Sequence, residues 1–183
     1  VDAGADLAWA AARCAWGAYY YSGQVCISVQ RIFVEKSVHE EFRRLLVANI
    51  KELKIGDPGS EATDIGPLID EASAVRVEEW LKEAVGRGAK LWAGGPRQGL
   101  VIPPSLVEGA PADCKVSCEE VFGPVATLEA VDSRQKALER LADTKYGLQA
   151  GIFTNDLRFA HEAFDRLSVG GLVINDIPSY RSD

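Results

Sequence analysis

The sequence predicts an α/β domain: a mostly parallel, twisted sheet with helices on both faces. Two observations predict it. Short runs rich in β-branched residues alternate with segments of helical period along the whole chain, as strand, helix, strand. No repeat, low-complexity tract or linker divides the 183 residues, and with 47% hydrophobic residues such a chain can hold one substantial core without staples.

The first helix is expected from about Asp6 to Tyr21, where alanines favour helix and an apolar surface nearly all round means burial. Asp6 is its N-cap, and Ser22-Gly23 are the residue types that end helices. A loop, Ser22–Cys26, then feeds the β-branched run Ile27–Val34, read as a strand. From Ser37, read as an N-cap, Val38, Phe42, Leu45, Leu46, Asn49 and Leu53 fall near one helical face. Gly56–Gly59 is a turn. A second amphipathic helix runs from Asp70 or Glu71 to about Gly86 on Val75, Val77, Trp80, Leu81 and Val85, and Ala89–Trp92 is a short strand. Residues 94–99 form a surface turn, with 100–102 and 105–107 extended around Pro103-Pro104. The alternation then continues: strand Val125–Val131, helix Ser133–Ala142, strand Leu148–Phe153, helix Asp156–Leu167 and strand Gly171–Ile174.

Composition removes several classes of function. Twenty Lys and Arg against 27 Asp and Glu leave a net charge of −7 with no basic run, which argues against nucleic-acid or anionic-membrane partners. The longest apolar stretch, Leu7–Tyr21, is broken by Arg13 and is shorter than the roughly 20 residues a bilayer requires. The N-terminus has no positive n-region and Met is absent throughout, so the chain is expected to be cut from something longer. The four cysteines, Cys14, Cys26, Cys114 and Cys118, are expected as reduced thiols in a cytoplasmic protein. No metal site is expected, because Cys114 and Cys118 are separated by three residues rather than two and the only histidines are His39 and His161.

Generic catalytic signatures mostly fail. There is no G-x-x-x-x-G-K-[ST] phosphate loop and no G-x-S-x-G elbow, and neither Gly86-Arg-Gly88 nor Gly94-Gly95 has the third glycine of a dinucleotide fingerprint. What remains is Cys26, just past an apolar helix in a Ser-Gly-Gln loop open to close ligand approach, where a thiolate would be an exposed nucleophile. On spacing alone, the favoured reading of Cys26 is a small hydrophobe that begins a buried strand. Cys14, on the apolar helix, reads as core, and Cys114 and Cys118 as ordinary loop or strand residues.

Four ordered motifs shift that balance. Gly23-Gln24-Val25-Cys26 followed by Ile-Ser-Val-Gln-Arg31 resembles the active-site cysteine motif of the NAD(P)-dependent aldehyde dehydrogenase superfamily. Glu119–Val125 resembles its E-E-[IV]-F-G-P-V motif, Tyr146–Ala150 its Y-G-L-x-A segment, and Gly170–Asn175 its G-x-[VL]-x-[VI]-N segment. The resemblance implies that Cys26 is the nucleophile, adding to an aldehyde as a thiohemiacetal that passes hydride to the nicotinamide and leaves a thioester for hydrolysis. It implies that the Cys26 N–H is one oxyanion donor, that Glu120 accepts from the nicotinamide ribose hydroxyls, and that Phe122 lies beside that ribose and ring. Val25 and Ile27 would line the aldehyde pocket, faced by Ile177 and Tyr180, while Glu119 reads as a solvated loop carboxylate.

The departures from the family pattern are equally specific. The E-L-G-G segment whose Glu activates water, the Asn that completes the oxyanion hole and the P-[FY]-G-G-x-K-x-S-G segment have no counterparts here. Residues 1–183 are therefore expected to be a catalytic domain cut at both ends, without the cofactor-binding domain or oligomerisation strand, and inactive alone. The parent enzyme would use NAD or NADP on a small aldehyde, as a homodimer or homotetramer. The loop from Asn175 to Arg181 is similar to that of relatives acting on lactaldehyde or glyceraldehyde derivatives. Two rival readings stand beside this one. One is a noncatalytic interaction fragment; the other is a thiol hydrolase pairing Cys26 with His39 or His161, both expected on solvated helix faces.

Overall fold

In the computed structural model, residues 1–179 are described; Tyr180, assigned to the aldehyde pocket by resemblance, lies outside them. Helix α1 spans Leu7–Tyr19, and the Asp6 carboxylate caps it by accepting from the Trp9 N–H at 3.0 Å. Its apolar surface is not buried all round, as the composition suggested. Ala10, Ala11, Cys14, Ala15 and Ala18 face the core, whereas Trp9 and Trp16 are about half exposed, with the Arg13 guanidinium over both rings. A 3₁₀ turn, Tyr20–Gly23, leads out of α1 through the positive-φ residues Tyr21, Ser22 and Gly23.

Strand β1, Arg31–Glu35, begins later than the β-branched run implies. The backbone from Val25 to Val29 has other partners: Ser28 N–H closes a turn on Val25 O, and Val29 N–H donates to Gly17 O of α1. Helix α2, Lys36–Glu52, follows at once, so Ser37 lies inside it rather than capping it. Glu35 takes the cap position, and its carboxylate accepts instead from the Ala3 and Arg134 N–H groups. Helix α3, Glu71–Gly86, is capped by Asp70, which accepts from Ser73 N–H. Then come β2 (Lys90–Ala93), β3 (Ser105–Glu108), a single helical turn α4 (Lys115–Cys118) that the sequence reading missed, and β4 (Val125–Val131). Helices α5 (Arg134–Ala142) and α6 (Leu157–Arg166) alternate with β5 (Gln149–Ile152) and β6 (Gly171–Ile174), and Ser133 and Asp156 supply the caps.

Among the described residues the strands form two sheets. One has the order β1-β4-β3-β2, parallel except for the β2/β3 pair, and the other is the parallel pair β5-β6. Val1 and Asp2 join them through backbone bonds, Val1 to Phe33 and Glu35 beside β1, and Asp2 to Phe153 beyond β5. The pleat of the larger sheet sorts its side chains to two cores. Ile32, Val34, Leu106, Ala126 and Leu128 pack with α1 and α2, whereas Val107 and Val125 pack with α3 and α4. Helices thus cover both faces, as parallel ladders require. No helix of the described residues is long and apolar enough to cross a membrane.

His39 is a correction. It is buried at 6% exposure on the Phe42–Leu46 face of α2, with Nε2 2.8 Å from Glu108 Oε1. Burial holds its pKa below the ordinary 6.5, against the pull of Glu108. As pH falls, the unfolded chain takes up this proton first. The stability contribution is therefore complete above about pH 6.5 and is lost as pH drops toward the lower folded-state value. His39→Gln is expected to flatten the fall of the urea midpoint between pH 7 and pH 5. An unchanged slope would show that other groups set it.

Candidate active site

Cys26 stands at the corner of the Val25–Ser28 turn, exposed, in a loop bound to its neighbours at almost every residue. Ser22 Oγ accepts from Gly66 N–H and donates to Gly66 O, each at 3.0 Å. The Gln24 amide accepts from Ile69 N–H at 2.8 Å and donates to Pro67 O at 3.4 Å. Ser28 Oγ donates to Ala18 O. The turn's own hydrogen bond joins Val25 to Ser28, so the Cys26 N–H takes no part in it. Gly23 allows a close approach, as the loop composition suggested, but to protein rather than ligand. Its φ is +69°, and a Cβ there would run into the Gly123 carbonyl.

That carbonyl belongs to the second loop of the site, Glu119–Gly123, which precedes β4. Gln30 Nε2 donates to Glu119 O at 2.7 Å and Val116 O at 2.8 Å, while its Oε1 accepts from Val121 N–H at 3.0 Å. From the outside, Tyr146 Oη accepts from Glu120 N–H and donates to Glu119 Oε2, each at 3.1 Å. Arg76 of α3 donates to Val121 O. Glu119 is not simply solvated: Lys145 Nζ lies 2.7 Å from both its oxygens, and the bonds from Lys145 and Tyr146 hold its pKa below the ordinary range. The Glu120 side chain is left exposed. Phe122 follows at φ +48°, a backbone region rarely tolerated by an aromatic residue, with its side chain 43% exposed.

The two loops open on one cavity of about 310 Å³. Cys26, Val25, Ile27, Glu120, Phe122 and Ile177 all line it. Ile177 is nevertheless 1% exposed, and its side chain packs over Gly17 and Val29 at the cavity's inner wall. Tyr20, stacked on Trp16 with ring centroids 4.4 Å apart, lies close to Cys26, and its phenol is shifted upward by burial and then by that thiol. Arg31 of the cysteine motif points elsewhere and donates to the carbonyls of Arg140, Leu141 and Asp143 at the end of α5. His161 is exposed on α6, and neither it nor His39 lines the cavity. Among the described residues no cluster of three or more His, Cys, Asp or Glu is placed to hold a metal ion.

Sequence reasoning did not single out Gln30, Tyr146 or Tyr20. Gln30 and Tyr146 do lie inside the cysteine and Y-G-L-x-A motifs, but no local signal gives either of them a bracing role.

Comparison with known proteins agrees with this geometry along the chain's whole length. The model of the aldehyde dehydrogenase family matches residues 1–183. The chain is 44% identical over 179 residues to a 3-sulfolactaldehyde dehydrogenase of Priestia aryabhattai, covering 98% of this chain and 38% of that protein. It is 40% identical over 178 residues to a lactaldehyde dehydrogenase of Methanococcus maripaludis, covering 97% of this chain and 38% of the relative. It thus spans well under half the length of the curated relatives it matches. Among solved structures, a glyceraldehyde-3-phosphate dehydrogenase from Methanocaldococcus jannaschii complexed with NADP superposes with a TM-score of 0.94 at 35% identity, over 98% of this chain and 39% of that one. An aldehyde dehydrogenase from Physcomitrella patens in complex with its product succinate gives 0.91 at 42% identity, over 93% and 36%. The chain, with its exposed cysteine turn braced against an E-E-V-F-G-P loop, belongs to the aldehyde dehydrogenase family.

Proposed function

We propose that residues 1–183 are the nucleophile-bearing catalytic domain of a longer, cytoplasmic, NAD(P)-dependent aldehyde dehydrogenase that oxidises a small polar aldehyde to its carboxylic acid. The observation that carries this reading is the convergence of Cys26, Glu120 and Phe122 on one cavity. Four free thiols suit a reducing compartment. The half-exposed Trp9 and Trp16 and the exposed Tyr21 supply apolar surface for contacts within a homodimer or homotetramer. The names of the relatives, which act on lactaldehyde and 3-sulfolactaldehyde, favour a short 2-hydroxyaldehyde.

The residues present fit the nicotinamide riboside end of the cofactor. Glu120 is an exposed carboxylate with acceptor capacity for two ribose hydroxyls, and Phe122 offers an aromatic face at the same lip. The Cys26 sulfur attacks the aldehyde carbon, and the Cys26 N–H donates to the oxygen as negative charge develops on it. Nicotinamide, when bound, supplies the acceptor for the hydride. Cys26 then holds the acyl group as a thioester until water releases the acid and restores the thiol. Val25 and Ile27 flank the sulfur and shape the space for a short side chain.

The rival thiol hydrolase reading needs Cys26 paired with His39 or His161, but His39 is buried against Glu108 and neither histidine lines the cavity. The test is to express the longer polypeptide and follow reduced-nicotinamide absorbance with lactaldehyde, glyceraldehyde and 3-sulfolactaldehyde, each with NAD and with NADP. Turnover with at least one pair is expected. Cofactor binding without turnover on any aldehyde would remove the proposal and leave the interaction reading.

A further inference from the structure

We infer that Gln30 is a positioning residue that fixes the Glu120 carboxylate relative to the Cys26 sulfur. The inference rests on the reading above and deepens it. The Gln30 amide makes three hydrogen bonds, and two of them bracket Glu120: Nε2 donates to the carbonyl of residue 119 and Oε1 accepts from the N–H of residue 121. It thereby holds the backbone on both sides of Glu120 much as a neighbouring strand would. The third bond, to Val116 O, ties the amide to α4, the helical turn directly ahead of that loop. Gln30 is itself held, because its carbonyl accepts from Thr127 N–H of β4 at 2.7 Å. It is also only four residues from Cys26, across a turn whose Val29 N–H is bonded to α1.

A rigid path therefore runs from the sulfur to the ribose-binding carboxylate through one side chain. Tyr146 and Arg76 hold the loop's outer side and its Val121 carbonyl, but neither is linked to the cysteine turn through so short a stretch of chain. The fixed distance has a chemical purpose. Hydride leaves a carbon attached to Cys26 while Glu120 sets the ring's position, so a shift of either loop spoils the alignment on which the rate depends.

The test uses the full-length enzyme with Gln30→Met, which keeps length and removes all three bonds, beside Gln30→Glu. The glutamate retains an acceptor for Val121 N–H but turns a carboxylate toward the carbonyls of Val116 and Glu119. Both variants are expected to raise KM for the nicotinamide cofactor about tenfold. Iodoacetamide should still alkylate Cys26 at the wild-type rate without cofactor, and cofactor should protect that thiol less well than in wild type. A lower melting temperature with unchanged cofactor KM and unchanged protection would make Gln30 merely structural and overturn the inference. If Gln30→Met does not fold, Gln30→Glu decides by the same two readouts. Absence of nicotinamide reduction in the wild-type enzyme would overturn the underlying reading and this inference with it; wild-type turnover with an unshifted variant overturns the inference alone.

Discussion

Replacing Cys26 by alanine in the full-length enzyme is expected to lower kcat/KM for aldehyde oxidation by about 10⁴-fold or more. The melting temperature should be nearly unchanged. Both halves of the expectation follow from where the thiol stands. It is exposed at the corner of a turn whose bonds come from Ser22, Gln24 and Ser28, so removing one sulfur leaves the scaffold intact and costs about 0.5 kcal/mol or less. Cys14 provides the internal contrast. It is 3% exposed inside α1, and burial pushes its thiol up to about 12, which keeps it protonated and inert at neutral pH. Iodoacetamide should therefore label Cys26 in the wild-type protein and spare Cys14. Undiminished turnover by Cys26→Ala would place the nucleophile elsewhere. The exposed Cys118, which lines the same cavity, would be the first residue to test.

Much of the fold was legible because local signals and tertiary roles coincide. Strand β4 has the predicted bounds, since Gly123-Pro124 and Asp132-Ser133 punctuate both ends of an apolar run. The caps Asp6, Asp70, Ser133 and Asp156 are short polar side chains directly ahead of helical patterns, and each accepts from a first-turn N–H. The errors arise where side-chain type and backbone role part company. Ile27 and Val29 are β-branched, yet their segment forms a turn and hangs from α1, so the strand starts at Arg31. Residues 115–118 are too few for a helical period to show. His39 looked solvated beside Glu40 and Glu41, although its spacing to Phe42, Leu46 and Ile50 puts it on the buried stripe.

At the site, motifs mark the residues proposed to carry chemistry, and Gln30 and Tyr146 fall inside recognisable segments too, but nothing local assigns those two their bracing role. Cys26, Glu120 and Phe122 lie within short recognisable segments. Gln30 reaches its partner carbonyl across 89 positions and Tyr146 reaches the same loop across 26, distances at which no local pattern couples one residue to another. The cavity they support depends on how two loops meet, and that is a property of packing rather than periodicity.

The point where those loops touch yields the largest expected loss of stability. Gly23 adopts φ +69°, and a Cβ at this position would overlap the Gly123 carbonyl group. Gly23→Ala is therefore expected to cost roughly 2 to 5 kcal/mol, combining left-handed strain with overpacking against backbone. Gly109→Ala separates the two effects. Gly109 has nearly the same conformation, φ +73°, but nothing lies within 4 Å of where its Cβ would be, so that variant should lose only about 1 to 2 kcal/mol. Urea denaturation of both variants measures the difference directly. If the gap is real, the clash forces the Cys26 turn and the Phe122 loop apart. Turnover of Gly23→Ala should then fall by more than about tenfold even at temperatures where it is fully folded, while Gly109→Ala keeps wild-type turnover. Equal losses of stability in the two variants would mean that the contact relaxes without cost, and the bracing of the Cys26 turn against the Glu119–Gly123 loop would have to rest on Gln30 alone.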